Sequence, residues 1–292
     1  MIVEMTKRII ESKLDSVNRL DSWFSSDYCA AVTWGGHVKL FSISQSRFVA
    51  DIFTHKDSGG ISVALSGDDL LGFVGTYYAW GLACFEIATG KQIWKRSDLK
   101  HFYGLSYSQT QGSLFGYFNG KSGLRIDPHT GKTLETLRDC KHISCSPFDG
   151  CVLIRGGKKV RLVSKSEGVL WNCPASGFAA LDVAWSPTLV VLSEAGSDCG
   201  GGVRCFEIST GKLRWSNAEH CINIMYCPGT QQFVGIGGKK GLPSLMCFRW
   251  EEETGDMNIT EIPKLFQKAI CNKGQLIYSI EPKSFESSLM KI

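Results

Sequence analysis

Two stretches of this chain are nearly the same: CFEIATGKQIW, Cys84 to Trp94, and CFEISTGKLRW, Cys205 to Trp215. They belong to a longer recurring unit, and internal repetition constrains a fold more than any composition does. A strand-like phrase with an apolar anchor appears as HVKLFSI (Phe41), GLACFEI (Phe85), SGLRIDP (Ile126), KVRLVSK (Leu162), GVRCFEI (Phe206) and SLMCFRW (Phe248). SSLMKI (Leu289) is a weak seventh, and the anchors are spaced 44, 41, 36, 44, 42 and 41 residues apart. A turn follows at Thr89-Gly90, Thr130-Gly131, Thr210-Gly211 and Thr254-Gly255, with Glu167-Gly168 as a variant. Before each phrase lie two more strand-like runs joined by a polar turn, as in ISCSPFDGCVLIR and LDVAWSPTLVVLS.

Each unit therefore offers four short strands, a to d, with turn residues at regular intervals. A period near 40 with four strands per unit predicts an all-β fold, a β-propeller with one blade per unit. One blade cannot bury its own two faces. Stacking blades buries both, which is why the c strands are apolar or small at nearly every position. Blade one is expected over Leu14 to Phe53, ending in RFVADIF, and six blades run to about Pro263. The remainder has room for three strands, and EMTKRII near residues 4–10 supplies the fourth. The expectation is a single domain over 1–292 with seven blades, closed by that N-terminal strand. The alternative is a six-bladed ring capped by an amphipathic helix from Glu4 to Val17.

The phrase F-E-I-x-T-G-K-x-x-W resembles the repeat of pyrroloquinoline-quinone (PQQ)-like propellers, in which an apolar strand runs into Thr-Gly-Lys and then a d strand carrying Trp. Trp94, Trp171 and Trp215 stand in that d-strand position. The a–b turns SCSPFDG and AWSPT resemble those of WD40 propellers, although no Trp-Asp dipeptide closes a c strand. The resemblance covers nearly the whole chain and implies fold, not activity. Quinoprotein dehydrogenases share the PQQ-like repeat but are typically eight-bladed and exported, with adjacent cysteines beside the quinone. This sequence has no Cys-Cys pair, no export signal and room for at most seven blades, so no cofactor is expected.

Other chemistry is equally sparse. Net charge is +4, too small for a nucleic-acid protein on charge alone. No apolar run reaches the length of a membrane span, and a cytoplasmic location is expected. The twelve cysteines would then be reduced thiols. Cys140, His142 and Cys145 cluster in CKHISC, but zinc sites use four placed ligands and commonly C-x-x-C pairs, of which there are none. Repeat equivalence explains the cysteines more simply: Cys84, Cys205 and Cys247 share one position, Cys145 and Cys227 another, Cys29 and Cys151 a third. They read as small buried hydrophobes. No metal site and no catalytic residues are assigned.

In a propeller the d–a and b–c loops gather on one side and the a–b and c–d loops on the other. Sorted so, the first side receives Lys56, Lys95, Arg96, Lys100, Lys121, Arg138, Lys141, Arg155, Lys158, Lys159, Lys239, Lys240 and Lys264. Against them stand Asp57, Asp98, Asp139, Glu194, Asp198 and Glu219. The second side is mostly acidic, with Asp68, Asp69, Asp149, Glu167 and Glu251 to Glu253 among its residues. The basic side also carries Tyr77, Tyr78 and Trp80, with Phe102, Tyr103 and Phe118 nearby. Aromatics with Arg are what interface centres are made of. The expected partner-binding residues are Tyr77, Tyr78, Trp80, Lys95, Arg96, Lys100, His101, Phe102, Lys121, Arg155, Lys158, Lys159, Lys239 and Lys240. The expected function is a non-enzymatic protein-binding propeller that engages an acidic partner surface, in its sharpest form an immunity protein or inhibitor neutralising a toxin. The alternatives are a scaffold or regulatory subunit of a multiprotein complex and, third, a polyanion- or nucleic-acid-binding propeller. No small-molecule substrate and no membrane partner are expected.

Overall fold

The structure, a computed structural model, describes 28 strands between Met5 and Met290 and most side chains between Asp27 and Gly235. Outside the description lie residues 1–4, 11–16, 23–26, 54–59, 119–121, 176–180, 195–201, 218–220, 228–230, 238–243, 252–255, 263–267, 291–292 and a few shorter stretches. Lys56, Lys121, Lys239, Lys240 and Lys264 fall there.

The strands form four-stranded sheets. β1 (Met5–Ile10) stands apart from its sequence neighbours. The next sheet holds β2 (Val17–Ser22), β3 (Tyr28–Thr33), β4 (His37–Ser42) and β5 (Arg47–Phe53) in that order. The second holds β6 (Gly60–Leu65), β7 (Leu71–Thr76), β8 (Leu82–Glu86) and β9 (Gln92–Arg96). The third holds β10 (Phe102–Ser108), β11 (Ser113–Phe118), β12 (Ser122–Ile126) and β13 (Thr133–Arg138). In the fourth come β14 (His142–Cys145), β15 (Val152–Arg155), β16 (Lys159–Ser164) and β17 (Gly168–Pro174). Then follow β18 (Leu181–Trp185), β19 (Leu189–Glu194), β20 (Gly202–Glu207) and β21 (Leu213–Asn217), and after them β22 (Cys221–Cys227), β23 (Gln232–Gly237), β24 (Ser244–Glu251) and β25 (Asp256–Ile262). The last sheet takes β26 (Lys268–Asn272), β27 (Gln275–Glu281) and β28 (Ser284–Met290) and is completed by β1, which pairs antiparallel with β28 from Met5↔Met290 to Ile10↔Phe285. Residues 5–10 are thus extended and paired, not helical.

The chain divides into two compact units, Ser12–Val169 and Leu170–Ile292 with Met1–Glu11. Within the first, successive sheets pack face to face. Ala30, Val32 and Leu40 meet Val63, Val74 and Phe85. On the other face of the second sheet, Phe73, Leu82 and Cys84 meet Phe102, Leu114 and Ile126. Phe115 of the third sheet meets Ile143, Val152 and Ile154 of the fourth. In the second unit Val191, Val203 and Cys205 pack on Ile224 and Phe233. Every residue of β7 is buried, as expected of a strand covered on both faces.

The repeated phrase has a local explanation. In the three described Thr-Gly turns the glycine amide donates to the carbonyl four residues back, Gly90 to Glu86, Gly131 to Asp127 and Gly211 to Glu207, at 2.8–2.9 Å. Such a closure needs a left-handed residue, and the three glycines have φ of 68°, 71° and 69°. The acidic residue at the end of the third strand ties the turn from its side chain. Glu207 accepts from the Thr210 hydroxyl at 2.7 Å, and Asp127 Oδ1 accepts from the amides of His129 and Thr130 at 3.0 and 2.8 Å.

The tryptophan reaches forward. Trp94 Nε1 donates to Pro128 O at 2.8 Å, and Trp171 Nε1 to Ile208 O at 2.8 Å. Each ring lies on the glycine of the next sheet's turn: a Cβ on Gly131 would come within 2.8 Å of Trp94, and one on Gly211 within 2.6 Å of Trp171. At these two junctions the phrase is a latch, one unit holding the turn of its successor. Two other described junctions lack the tryptophan. In the first sheet Ala50 stands at its position, and Ile52 lies against Gly90 instead. In the third, register places Glu135 where Trp94 and Trp215 stand, and Gly168 has no atom within 4 Å of where a Cβ would be.

The fourth strands share a second feature. Phe85 pairs with Gln92 but Cys84 with Trp94, which leaves Ile93 unpaired. Val49, Leu134 and Arg214 are skipped in the same way. A bulge at one position in four edge strands bends each edge and interrupts the ladder another chain would need.

Candidate partner-binding surface

In the unit Ser12–Val169 the b–c and d–a loops meet, and the a–b turns meet elsewhere. His101 N donates to Tyr77 O at 3.2 Å, Lys141 N to Arg155 O at 2.7 Å, and Gly157 N to Asp139 Oδ1 at 2.9 Å. Successive a–b turns are bonded too: Asp27 N to Asp69 Oδ2 at 3.1 Å, Gly67 N to Gln109 Oε1 at 3.2 Å, and Gln111 Nε2 to Gly150 O at 2.6 Å.

At the first of these loop pairs stands an aromatic cluster. Tyr77 is its hub, with Tyr78, His101 and Tyr103 at centroid distances of 4.9, 4.8 and 5.9 Å and interplanar angles of 80–85°. Edge-to-face contacts of this kind add about 0.5–1.5 kcal/mol each beyond burial. The Tyr77 side chain is hydrogen-bonded to Tyr103, which raises the Tyr103 phenol above its usual range. Tyr78 is 54 % exposed and Tyr103 38 %. His101 sits at φ 63°, left-handed and uncommon for a residue with a side chain.

Cations stand on the loops that carry the cluster. Lys95 Nζ lies 4.7 Å from the centroid of Trp80, a cation–π contact, and Lys100 is exposed. The carboxylate on the same loop, Asp98, is taken: Arg96 donates to it from Nε at 2.8 Å and Nη2 at 2.6 Å. That pair holds the Asp98 carboxyl below its usual range. Arg96 Nη1 donates to Gly131 O at 2.7 Å, so this guanidinium fastens two sheets together and is fully engaged. Lys141, Lys158 and Lys159 are exposed at the loops of the fourth sheet.

Two expected partner-binding residues are buried and leave the surface. Phe102 is fully buried, its ring 4.4 Å from that of Phe118. It opens β10, and Tyr103 after it is skipped in the pairing with β11, a bulge that leaves Tyr103 exposed. Arg155 is 4 % exposed, inside β15. Both sit where a strand runs further than its hydrophobic pattern indicates. Glu194, counted among the exposed anions, is fully buried and paired with Arg204. Tyr103, adjacent to the expected set, is exposed where Phe102 is not; period-two alternation along FYGLSYS would place it with the buried Leu105 and Tyr107, so the sequence pattern does not reveal it.

The thiols point away from chemistry. Burial pushes Cys84, Cys140, Cys145, Cys151 and Cys205 up to about 12. Cys140 Sγ donates to His142 O at 3.7 Å and Cys145 Sγ to Ser106 O at 3.9 Å, and no three metal-ligating side chains gather among the described residues. No helix among the described residues is long and apolar enough to cross a membrane.

No family model and no curated protein matches the chain. Solved structures do. The WD40 repeats of RRP9 superpose with a TM-score of 0.78 at 11 % identity, over 99 % of this chain and 100 % of that one. The β-propeller domain of Cps50 (Swd1) from Myceliophteria thermophila gives 0.74 at 11 %, over 97 % and 99 %. The fold is a WD40-type β-propeller. A chain of a mitotic checkpoint complex is similar as well, with a TM-score of 0.75 at 12 % identity, over 98 % and 94 %. At such identities the likeness is one of fold. It carries the WD40 half of the expected resemblance and not the PQQ-like half. Within the propeller, Ser146 and Ser186 account for the WD40-like a–b turns: Ser146 Oγ accepts from Phe148 N, and Ser186 Oγ from Leu189 N.

Proposed function

We propose that this propeller is a non-enzymatic protein-binding subunit, a scaffold within a multiprotein complex, which contacts its partner through the loops carrying Tyr77, Tyr78, His101 and Tyr103. The exposed aromatic cluster carries the reading, because large rigid rings held on a fixed frame are the commonest centres of binding energy. One of the similar structures supports it by analogy, since it is a protein complex by description. The sheets are read here as seven blades of one ring, with β1 as the closing strand. The partner surface is read as acidic, to complement Lys95, Lys100, Lys141, Lys158 and Lys159, and the location as cytoplasmic. A toxin-neutralising role draws no support from the similar structures, and the scaffold reading takes precedence over it.

The test is affinity capture from the native source with the wild-type chain and with a Tyr78→Ala/Tyr103→Ala variant, read by quantitative mass spectrometry. Neither ring is in the core, so the variant should melt like the wild type. Partners recovered by the wild type should be lost from the variant. Equal recovery by both removes this loop pair from the interface. A partner that is a nucleic acid would show itself by a steep fall of affinity with salt.

A further inference from the structure

We infer that the Tyr78–Tyr103 cluster is built to receive a short extended protein segment that carries an apolar or aromatic side chain flanked by carboxylates. This rests on the protein-binding reading above and gives that reading a ligand chemistry.

The first observation is the shape of the cluster. Tyr77 is half-buried and touches three rings edge-on. The exposed tyrosines of the cluster are Tyr78 and Tyr103, each against the Tyr77 ring. Two fixed aromatic surfaces separated by one ring suit a single inserted side chain better than a broad flat face. Aromatic side chains lose little conformational freedom on being covered, which makes them efficient anchors.

The second observation is backbone strain. His101 is held left-handed by the bond from its own amide to Tyr77 O, and this is what brings its ring against Tyr77. Non-glycine residues in that region cost free energy and persist where surrounding structure fixes them, commonly at ligand clamps. Here the strain joins the d–a loop to the b–c loop and aligns the rings in advance of binding.

The third observation is charge. Arg96 consumes the local carboxylate, Asp98, in a two-pronged pair. Lys95 and Lys100 are left without a carboxylate among the described residues. Lys95 is steadied over Trp80 and keeps its ammonium exposed. Among the described residues the patch therefore offers lysines on the loops of the aromatics, with Asp98 already paired, which selects for carboxylates next to the anchor and against a basic segment. A carboxylate-bearing protein segment is favoured over a nucleic acid because the guanidinium on the cluster's own loops, Arg96, is engaged by Asp98 and Gly131 O, and Arg155 is buried.

The probe is a fluorescein-labelled nonapeptide with Phe at its centre and four Glu around it, titrated with the full chain at two salt concentrations. Controls are the same peptide with Ala for Phe, the same with Lys for Glu, and a labelled ten-residue oligothymidylate. Binding of the Phe/Glu peptide is expected, with at least a tenfold loss for either control peptide, for Tyr78→Ala/Tyr103→Ala and for Lys95→Glu/Lys100→Glu. Equal binding of the Lys-flanked peptide would overturn the inference, because the patch would then be merely sticky. Tighter binding of the oligonucleotide would overturn it in favour of a nucleic acid. If no peptide binds while captured partners are still lost from the tyrosine variant, the scaffold reading stands and this ligand chemistry is wrong. Circular dichroism and melting of each variant guard against loss of fold.

Discussion

Individual side chains in this protein are mostly occupied with the fold. The five cysteines whose burial places them near 12 should be almost entirely protonated at pH 8 and shielded from reagents, since the thiolate is the reactive form. Peptide mapping after brief alkylation of the native chain should show them unmodified, with the half-exposed Cys173 labelled ahead of them; rapid labelling of Cys84 or Cys205 would contradict the packing. Asp127 makes a different prediction. Amide donation from Thr130, together with that of His129, holds its carboxyl below the usual range. A depressed carboxylate contributes stability above its unfolded value, about 4, and loses that contribution as the pH falls through the folded value. The melting difference between wild type and Asp127→Ala should therefore be constant from pH 7 to 5 and narrow below about pH 4. A difference that widens on acidification would mean the turn is not tied through the carboxylate.

At the scale of elements the latch is the quantity to test. Replacing Trp94 with Phe removes the donation to Pro128 O and should cost about 1 kcal/mol. Gly131→Ala forces a side chain into a left-handed position, about 1–2 kcal/mol, and into the Trp94 ring. Because the two residues share one contact, the Ala substitution should cost less in a Trp94→Ala background than in the wild type. Additive denaturation midpoints would show that the ring and the glycine do not meet. Much of this level was legible beforehand. RFVADIF marked β5, and Thr-Gly marked the turns, because period-two patterning and left-handed glycines are local properties. What could not be read was how far strands extend into loops. Phe102 and Arg155 belong to β10 and β15, and their burial depends on a neighbouring sheet remote in sequence. Glu194 was misplaced for the same reason, since its partner Arg204 comes from the adjacent strand of its sheet.

At the scale of the whole chain, the repeat decided the architecture and left the function open. The similar structures agree with the fold at 11–12 % identity, as expected when sheet stacking, and not any particular set of residues, defines it. The pairing of β1 with β28 makes the two ends of the sequence interdependent. Removing residues 1–11 should leave β28 as a bare edge. Its amides at 284–290 should then exchange faster, and the chain should melt earlier and self-associate at high concentration. Unchanged exchange there would mean the N-terminal strand contributes nothing to the last sheet.

The latch is also absent where Glu135 replaces a tryptophan and Gly168 faces open space. Where Trp94 and Trp171 stand, neighbours are gripped from outside as well as glued through their cores; the third and fourth sheets are joined through their core and by the bonds of Gln111 and Ser106, without that outer grip. Thermal breathing should begin at that seam, with the amides of Thr133–Arg138 opening before those of Gln92–Arg96. A protease offered the native protein should find its first cut in that neighbourhood.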